Sequence, residues 1–246
     1  MKKLISLLTI VFISIFGFIN IIEANTVQDN NYSLTVKQQK LALIAALTAT
    51  GDLPQLKVAL AEGLDAGLTI NEIKEVLVQM YAYAGFPRSL NGINTFISVV
   101  DERKAQGIKD NQGREASPIT AEGSKYERGK KVLESLTGRQ DPGKTSGFGA
   151  FAPEIETFLK EHLFADIFER DVLSYKDREL ATIAALSSLK GLEPMLQSHM
   201  NMGMNVGLTE AQIKEILSII GTSVGKQEAE AGLEVLNKVL ASRKNK

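Results

Sequence analysis

The chain predicts an all-α fold built from two tandem copies of one helical unit, on three observations. The phrase LKVALAEGLDAGLTINEIKEVL at 56–77 returns as LQSHMNMGMNVGLTEAQIKEIL at 196–217, an internal repeat at a shift of 140 residues. Upstream of it, LALIAAL at 41–47 returns as LATIAAL at 180–186, with the shift reduced to 139. Within both copies apolar residues recur at helical period, Ile73, Val76, Leu77 and Met80 in one and Ile213, Ile216, Leu217 and Ile220 in the other. The differences between the copies show where one ancestral site has been divided or specialised. His199 stands in register with Ala59, and Tyr83-Ala84-Gly85-Phe86-Pro87-Arg88 with Ser223-Val224-Gly225-Lys226-Gln227-Glu228.

Taken in order, residues 1–24 precede the fold. Met1-Lys2-Lys3, the uncharged run Leu4 to Ile22 and a cleavage site at Ile22-Glu23-Ala24 resemble an export signal, which places the mature protein in a periplasm or outside the cell. The run is also long enough for an uncleaved amino-terminal anchor, the competing reading. No cysteine follows it, which excludes lipid attachment through one. The first repeat occupies 35–105. Thr35 with Gln38 opens its first helix, Gly51-Asp52 ends it, and a second runs from about Pro54 to Asp65. Thr69 with Glu72 opens the third, Gly85-Phe86-Pro87 breaks it, and Leu90 to Val100 resumes as a fourth. The connecting region, 106–149, holds polar residues and glycines from Gly107 to Gly123, then a short helix from Tyr126 to Leu136. Its DPGKTSGFG stretch reads as a flexible loop or lid without the glycine spacing of a phosphate loop. The second repeat, 150–242, adds a helix from Pro153 to Phe164 with Ile155, Phe158, Leu159, His162 and Leu163 on one side. It then repeats the capped start at Thr209 with Gln212 and closes on a helix through Ala229 to Leu240.

Composition removes several classes of function. Cleavage after Ala24 would take away Lys2, Lys3 and Glu23 and leave a formal charge near -2, with no concentrated basic face for nucleic acid. The basic residues between Lys125 and Lys131 are interrupted by Glu127 and read as a solvated helix face. With no cysteine the chain offers no disulfide, no thiol nucleophile and no thiolate metal site, and two histidines, His162 and His199, are a poor basis for zinc. Nothing in the pattern calls for a metal or another cofactor.

Several separated motifs in order resemble the carboxymuconolactone decarboxylase family. They are Tyr126-Glu127-Arg128-Gly129, Phe164-Ala165-Asp166-Ile167-Phe168, Asp177-Arg178-Glu179-Leu180 with the run to Leu186, His199, Asn205 to Thr209, Glu215, and Tyr83 to Asn91 from the first copy. The resemblance implies an alkylhydroperoxidase D-like helical bundle and, for a two-copy chain, a homotrimer of six repeat units. In the peroxidase branch catalysis uses a Cys-x-x-Cys pair. Glu75 and Glu215 match that branch's glutamate, yet no cysteine accompanies them, so thiol peroxidase chemistry has no nucleophile here. In the decarboxylase branch the reaction removes carbon dioxide from 4-carboxymuconolactone. This implies a lyase working without cofactor on a small carboxylated molecule.

That chemistry asks for cationic anchors, a group that moves protons near neutral pH, and an apolar region where the departing carboxylate loses its charge. An unperturbed histidine titrates near 6.5, an ordinary glutamate near 4.3, so the proton-moving role falls to His199. Glu75 or Glu215 would orient it or relay to it. Arg88 and Arg178 would hold carboxylates, although each could instead pair with a local acid such as Glu179. Tyr83 would donate to a substrate oxygen, with Asn91, Asn201 and Asn205 as polar wall residues. His199 in only one copy leaves at most one repeat pocket with an imidazole from this position. The rival class is an exported, non-catalytic ligand-binding or assembly protein on the same fold.

Overall fold

A computed structural model describes residues 33–141 and 146–244. The apolar run at 4–22, and the export reading that rests on it, lies outside the described residues, as does the centre of the DPGKTSGFG loop. Among the described residues all regular structure is helical and no helix is long and apolar enough to cross a membrane. The all-α expectation holds.

The first repeat forms α1 (Val36–Thr50), α2 (Leu53–Asp65), α3 (Ile70–Ala84) and α4 (Phe86–Ala105). The side chains of Thr35 and Thr69 accept from the amides of Gln38 and Glu72, whose side chains reach back to the cap amides, so both are complete capping boxes. Gly51, with φ 75°, ends α1 in the left-handed conformation that glycine adopts without strain. In the connecting region, residues 111–115 run across the start of α3. There the carbonyls of Asn111 and Gln112 accept from the Ile70 and Asn71 amides, and the Asn71 side chain donates to Gly113, Arg114 and Glu115. Next comes α5 (Lys125–Thr137), whose Lys125 and Arg128 pair with Asp166 and Glu169.

The second repeat contains α6 (Phe148–Phe151) and α7 (Pro153–Phe158), which continues as a π-helical segment, Leu159–Phe168. After it come α8 (Tyr175–Ser187), α9 (Glu193–Asn205), α10 (Glu210–Ser223) and α11 (Lys226–Lys244). The expected single helix from Pro153 to Phe164 is therefore corrected: α-geometry stops at Phe158. Bonding from i to i+5 widens the following turns and rotates the apolar face, burying Leu163, Phe164, Ile167 and Phe168 and leaving Ile155, Phe158 and His162 exposed. A close approach accompanies the widening. A Cβ on Gly129 of α5 would collide with the Lys160 carbonyl, so only glycine lets the two backbones meet there.

The repeats interlock. Helix α1 packs along α8, and Ala42, Ala45, Ala46 and Ala49 of the one and Ala181, Ala184 and Ala185 of the other are all buried in the same core, small side chains that permit a close approach. Each of these central helices also packs on a helix of the other repeat, α1 on α10 and α8 on α3. One continuous apolar core results, running from Leu34 to Val239. A smaller cluster of Val132, Leu136, Leu163, Phe164, Ile167, Phe168 and Met202 joins α5 and the π segment to α9. This arrangement sets the connecting region beside one end of the second repeat.

Candidate functional site

Ser174 caps α8 by accepting from the Asp177 amide, and the helix then carries Glu179 inward with Arg178 and Leu180. Pro194 lies in the first turn of α9, where its missing N–H costs nothing, and His199 follows on the buried side. The Glu179 carboxylate, fully buried, lies 2.8 Å from His199 Nδ1. A carboxylate there accepts from Nδ1–H, fixes the ring's tautomer and leaves Nε2 as the nitrogen open to a ligand. The other carboxylate oxygen of Glu179 has no hydrogen-bond partner.

Tyr83 arrives from the first repeat, in the last turn of α3. Its ring meets His199 edge-on, with centroids 5.4 Å apart and planes at 82°. Its hydroxyl is buried beside Thr182. Burial, reinforced by the Glu179 charge, pushes the phenol pKa well above its ordinary value, so Tyr83 remains a proton-bearing donor.

His199 and Tyr83, but not Glu179, border a half-open cavity of about 1070 Å³. Leu133, Leu159, Leu163, Phe164, Leu192 and Met202 give it apolar walls, so the connecting helix and the π segment supply much of its surface. Arg139 and Arg243 also line it. Arg243 donates to Asn201 and Asn205 on α9, which are neutral acceptors, and no acid among the described residues pairs with either arginine.

The structure separates the other expected site residues from this cavity. Glu75 is clamped by Arg170 at 2.7 Å and by Arg178 at 2.8 Å, and Gln79 accepts from the same Arg178 guanidinium. Arg178 is fully buried and turned to Glu75, so it neither pairs with its neighbour Glu179 nor borders the cavity. Glu215 accepts from the Leu34 amide and from Gln39, both at 2.8 Å, and ties the start of the described chain to α10. Arg88 is exposed and its guanidinium lies over Gly51 at the end of α1, where a cation complements the helix carbonyls. Asn91 is exposed on α4. His199, Tyr83, Asn201 and Asn205 thus come together, whereas Glu75, Glu215, Arg88, Arg178 and Asn91 do not join them.

Three site residues escaped sequence reasoning. Glu179 carried a usable signal, since it stands in register with Lys40 in the other copy as His199 does with Ala59. Arg139 and Arg243 carried none, because they lie outside the duplicated phrase and converge only in three dimensions.

Comparisons with known proteins agree with this architecture. The model of the carboxymuconolactone decarboxylase family matches twice, over 18–95 and 153–238. An uncharacterized protein of Methanocaldococcus jannaschii is 30% identical over 70 residues, 28% of this chain, and the match spans 65% of that relative's length. A 4-carboxymuconolactone decarboxylase of Acinetobacter baylyi is 23% identical over 116 residues, covering 47% of this chain and 86% of the relative. With two matched regions that take up most of its length, the chain belongs to the carboxymuconolactone decarboxylase family as a tandem-repeat, all-helical member without cysteine.

Proposed function

We propose that this protein is a cofactor-free, decarboxylase-like lyase acting on a small carboxylated lactone or related compound, with His199 moving the proton. The observation that carries the reading is the buried Glu179–His199 pair at the edge of a largely apolar cavity. Decarboxylation breaks the bond between a ring carbon and the carboxyl carbon, and the electron pair passes into the conjugated lactone carbonyl as carbon dioxide leaves. Protonated His199 then delivers its Nε2 proton to the resulting enolate, and solvent restores it. The Glu179 carboxylate, 2.8 Å from Nδ1, balances the imidazolium and holds the ring in place. Tyr83, expected to donate to a substrate oxygen, instead has its hydroxyl buried away from the cavity and supports the imidazole with its ring edge, and the apolar walls favour loss of charge from the departing carboxylate. The relay role first given to Glu75 or Glu215 passes to Glu179, and anchoring of a retained carboxylate passes from Arg88 and Arg178 to Arg139 and Arg243.

The test is a screen of carboxylated lactones and ring-cleavage products with wild type and His199→Ala. Turnover falling by roughly 10²-fold or more, with the helical spectrum intact, is expected of a positioned general acid. Equal turnover by the variant would remove His199 from the mechanism. No turnover of any such compound by wild type would favour a non-catalytic binding role. The Tyr83 phenol should produce no alkaline loss of activity below about pH 10, the ordinary tyrosine value, since burial raises its pKa.

Assembly as a trimer, supported by family likeness, belongs to the same proposal. Light scattering should give the mass of three chains, and a monomer at micromolar concentration would refute it. Export is proposed on the sequence of residues 1–24, and the intact mass of the host's protein, with or without that segment, decides it.

A further inference from the structure

We infer that the cavity selects amphipathic carboxylates, an anionic head on an apolar body larger than a single compact ring. This rests on the proposed site and narrows its substrate class. Three observations carry it.

The first is size. A volume of about 1070 Å³ lies at the upper end of the roughly 300–1,000 Å³ typical of cavities that enclose drug-sized ligands. At about 30 Å³ per water it would hold on the order of 30 waters, and a lone carboxylated ring would leave most of that solvent in place. Displacing the remainder from leucine, methionine and phenylalanine walls is favourable only for an apolar group.

The second is charge. Arg139 and Arg243 line the cavity, and no described acid pairs with either one. The one buried acid nearby, Glu179, faces His199. Asn201 and Asn205 hold Arg243 through neutral oxygens, which position the guanidinium and leave its charge for a ligand.

The third is placement. Asn201 and Asn205 follow His199 by two and six residues on α9, about 3 and 9 Å along a helix rising 1.5 Å per residue. Around the helix both asparagines lie on a different side from His199, yet His199 and Arg243 border the same cavity, so a molecule that reaches from one to the other has to be extended. The apolar body then extends along Leu133, Leu159, Leu163 and Phe164, which the connecting helix and the π segment contribute. A compact dicarboxylate would use the arginines and leave this wall wet.

Binding of 4-n-alkylbenzoates, from methyl to hexyl, to the purified protein by calorimetry tests the inference. Affinity should rise about threefold per added methylene, as expected when each is largely removed from water. The double variant Arg139→Gln with Arg243→Gln should weaken every member by tenfold or more and leave the slope with chain length unchanged. The corresponding benzamides should bind wild type and double variant alike. An affinity independent of chain length, or equal binding of acid and amide by wild type, would overturn the inference. Because binding is read without turnover, the two readings fail separately. Length-dependent binding of carboxylates with no lyase activity sinks only the proposed reaction, and turnover of a compact lactone with flat binding across the series sinks only this one.

Discussion

Glu75 reaches from α3 to Arg178 on α8, and its repeat counterpart Glu215 reaches from α10 to Gln39 on α1, the counterpart of Arg178. Duplication has kept the geometry of this cross-repeat contact and changed its chemistry. On one side a carboxylate meets two guanidiniums, and on the other an amide and a backbone N–H. The second equivalent pair has diverged further. Glu179 and His199 form a buried hydrogen bond, while Lys40 turns outward to Glu62 and Ala59 packs in the core. Tyr83 completes the first arrangement, and Ser223 stands at the matching position of the other. Glutamate at the same place in both repeats is thus a joint between the halves, and the chemistry lies where the halves differ.

The largest test of this contrast is Glu75→Gln against Glu215→Gln. The first leaves the fully buried Arg178 without its carboxylate and should cost about 3–5 kcal/mol in urea unfolding. The second weakens hydrogen bonds from uncharged donors and should cost about 1 kcal/mol. Similar losses for the two would break the comparison.

Acid unfolding sharpens it next. Burial raises the Glu75 carboxyl pKa, but hydrogen bonds and charge from Arg170 and Arg178 together outweigh burial and hold it below 4.5. The unfolded chain therefore takes up this proton at a higher pH than the folded one. The stabilisation is fully present above the unfolded value and is lost as pH falls through the lower folded value. Stability measured against pH should accordingly fall more steeply below pH 4.5 in wild type than in Glu75→Gln, and parallel curves would mean the pair contributes nothing.

The smallest expected effect comes from the paired glycines of α2 and α9. A Cβ at Gly203 would lie 2.9 Å from both Ile183 Cδ1 and Leu208 Cδ1, whereas at Gly63 the nearest atoms are Ile44 Cδ1 at 3.1 Å and Leu68 Cδ1 at 3.2 Å. Alanine gains about 1 kcal/mol of helix propensity at either position. Gly63→Ala should therefore fall within about 0.5 kcal/mol of wild type and Gly203→Ala should lose about 1 kcal/mol through overpacking, differences a thermal melt would resolve. The reverse order would mean that the second repeat is the more loosely packed.

The sequence by itself determined the helical class, the duplication and most helix starts. Thr35, Thr69 and Thr209 each cap a helix through local bonds to a residue three positions on, and such contacts are written in adjacent letters. It also singled out His199, because a polar residue standing in register with an alanine is visible once the copies are aligned. Tertiary structure alone decided the partners. Glu179 lies 20 residues from His199 on a different helix, and Arg178, its neighbour in the chain, is drawn away by a glutamate 103 residues distant. The π segment likewise escapes reading, since i to i+5 bonding and the approach of Gly129 to the Lys160 carbonyl depend on how α5 docks. Helix periodicity is a property of a chain with itself. A buried charge takes whichever partner the packing brings within 3 Å, and long-range packing fixes that choice.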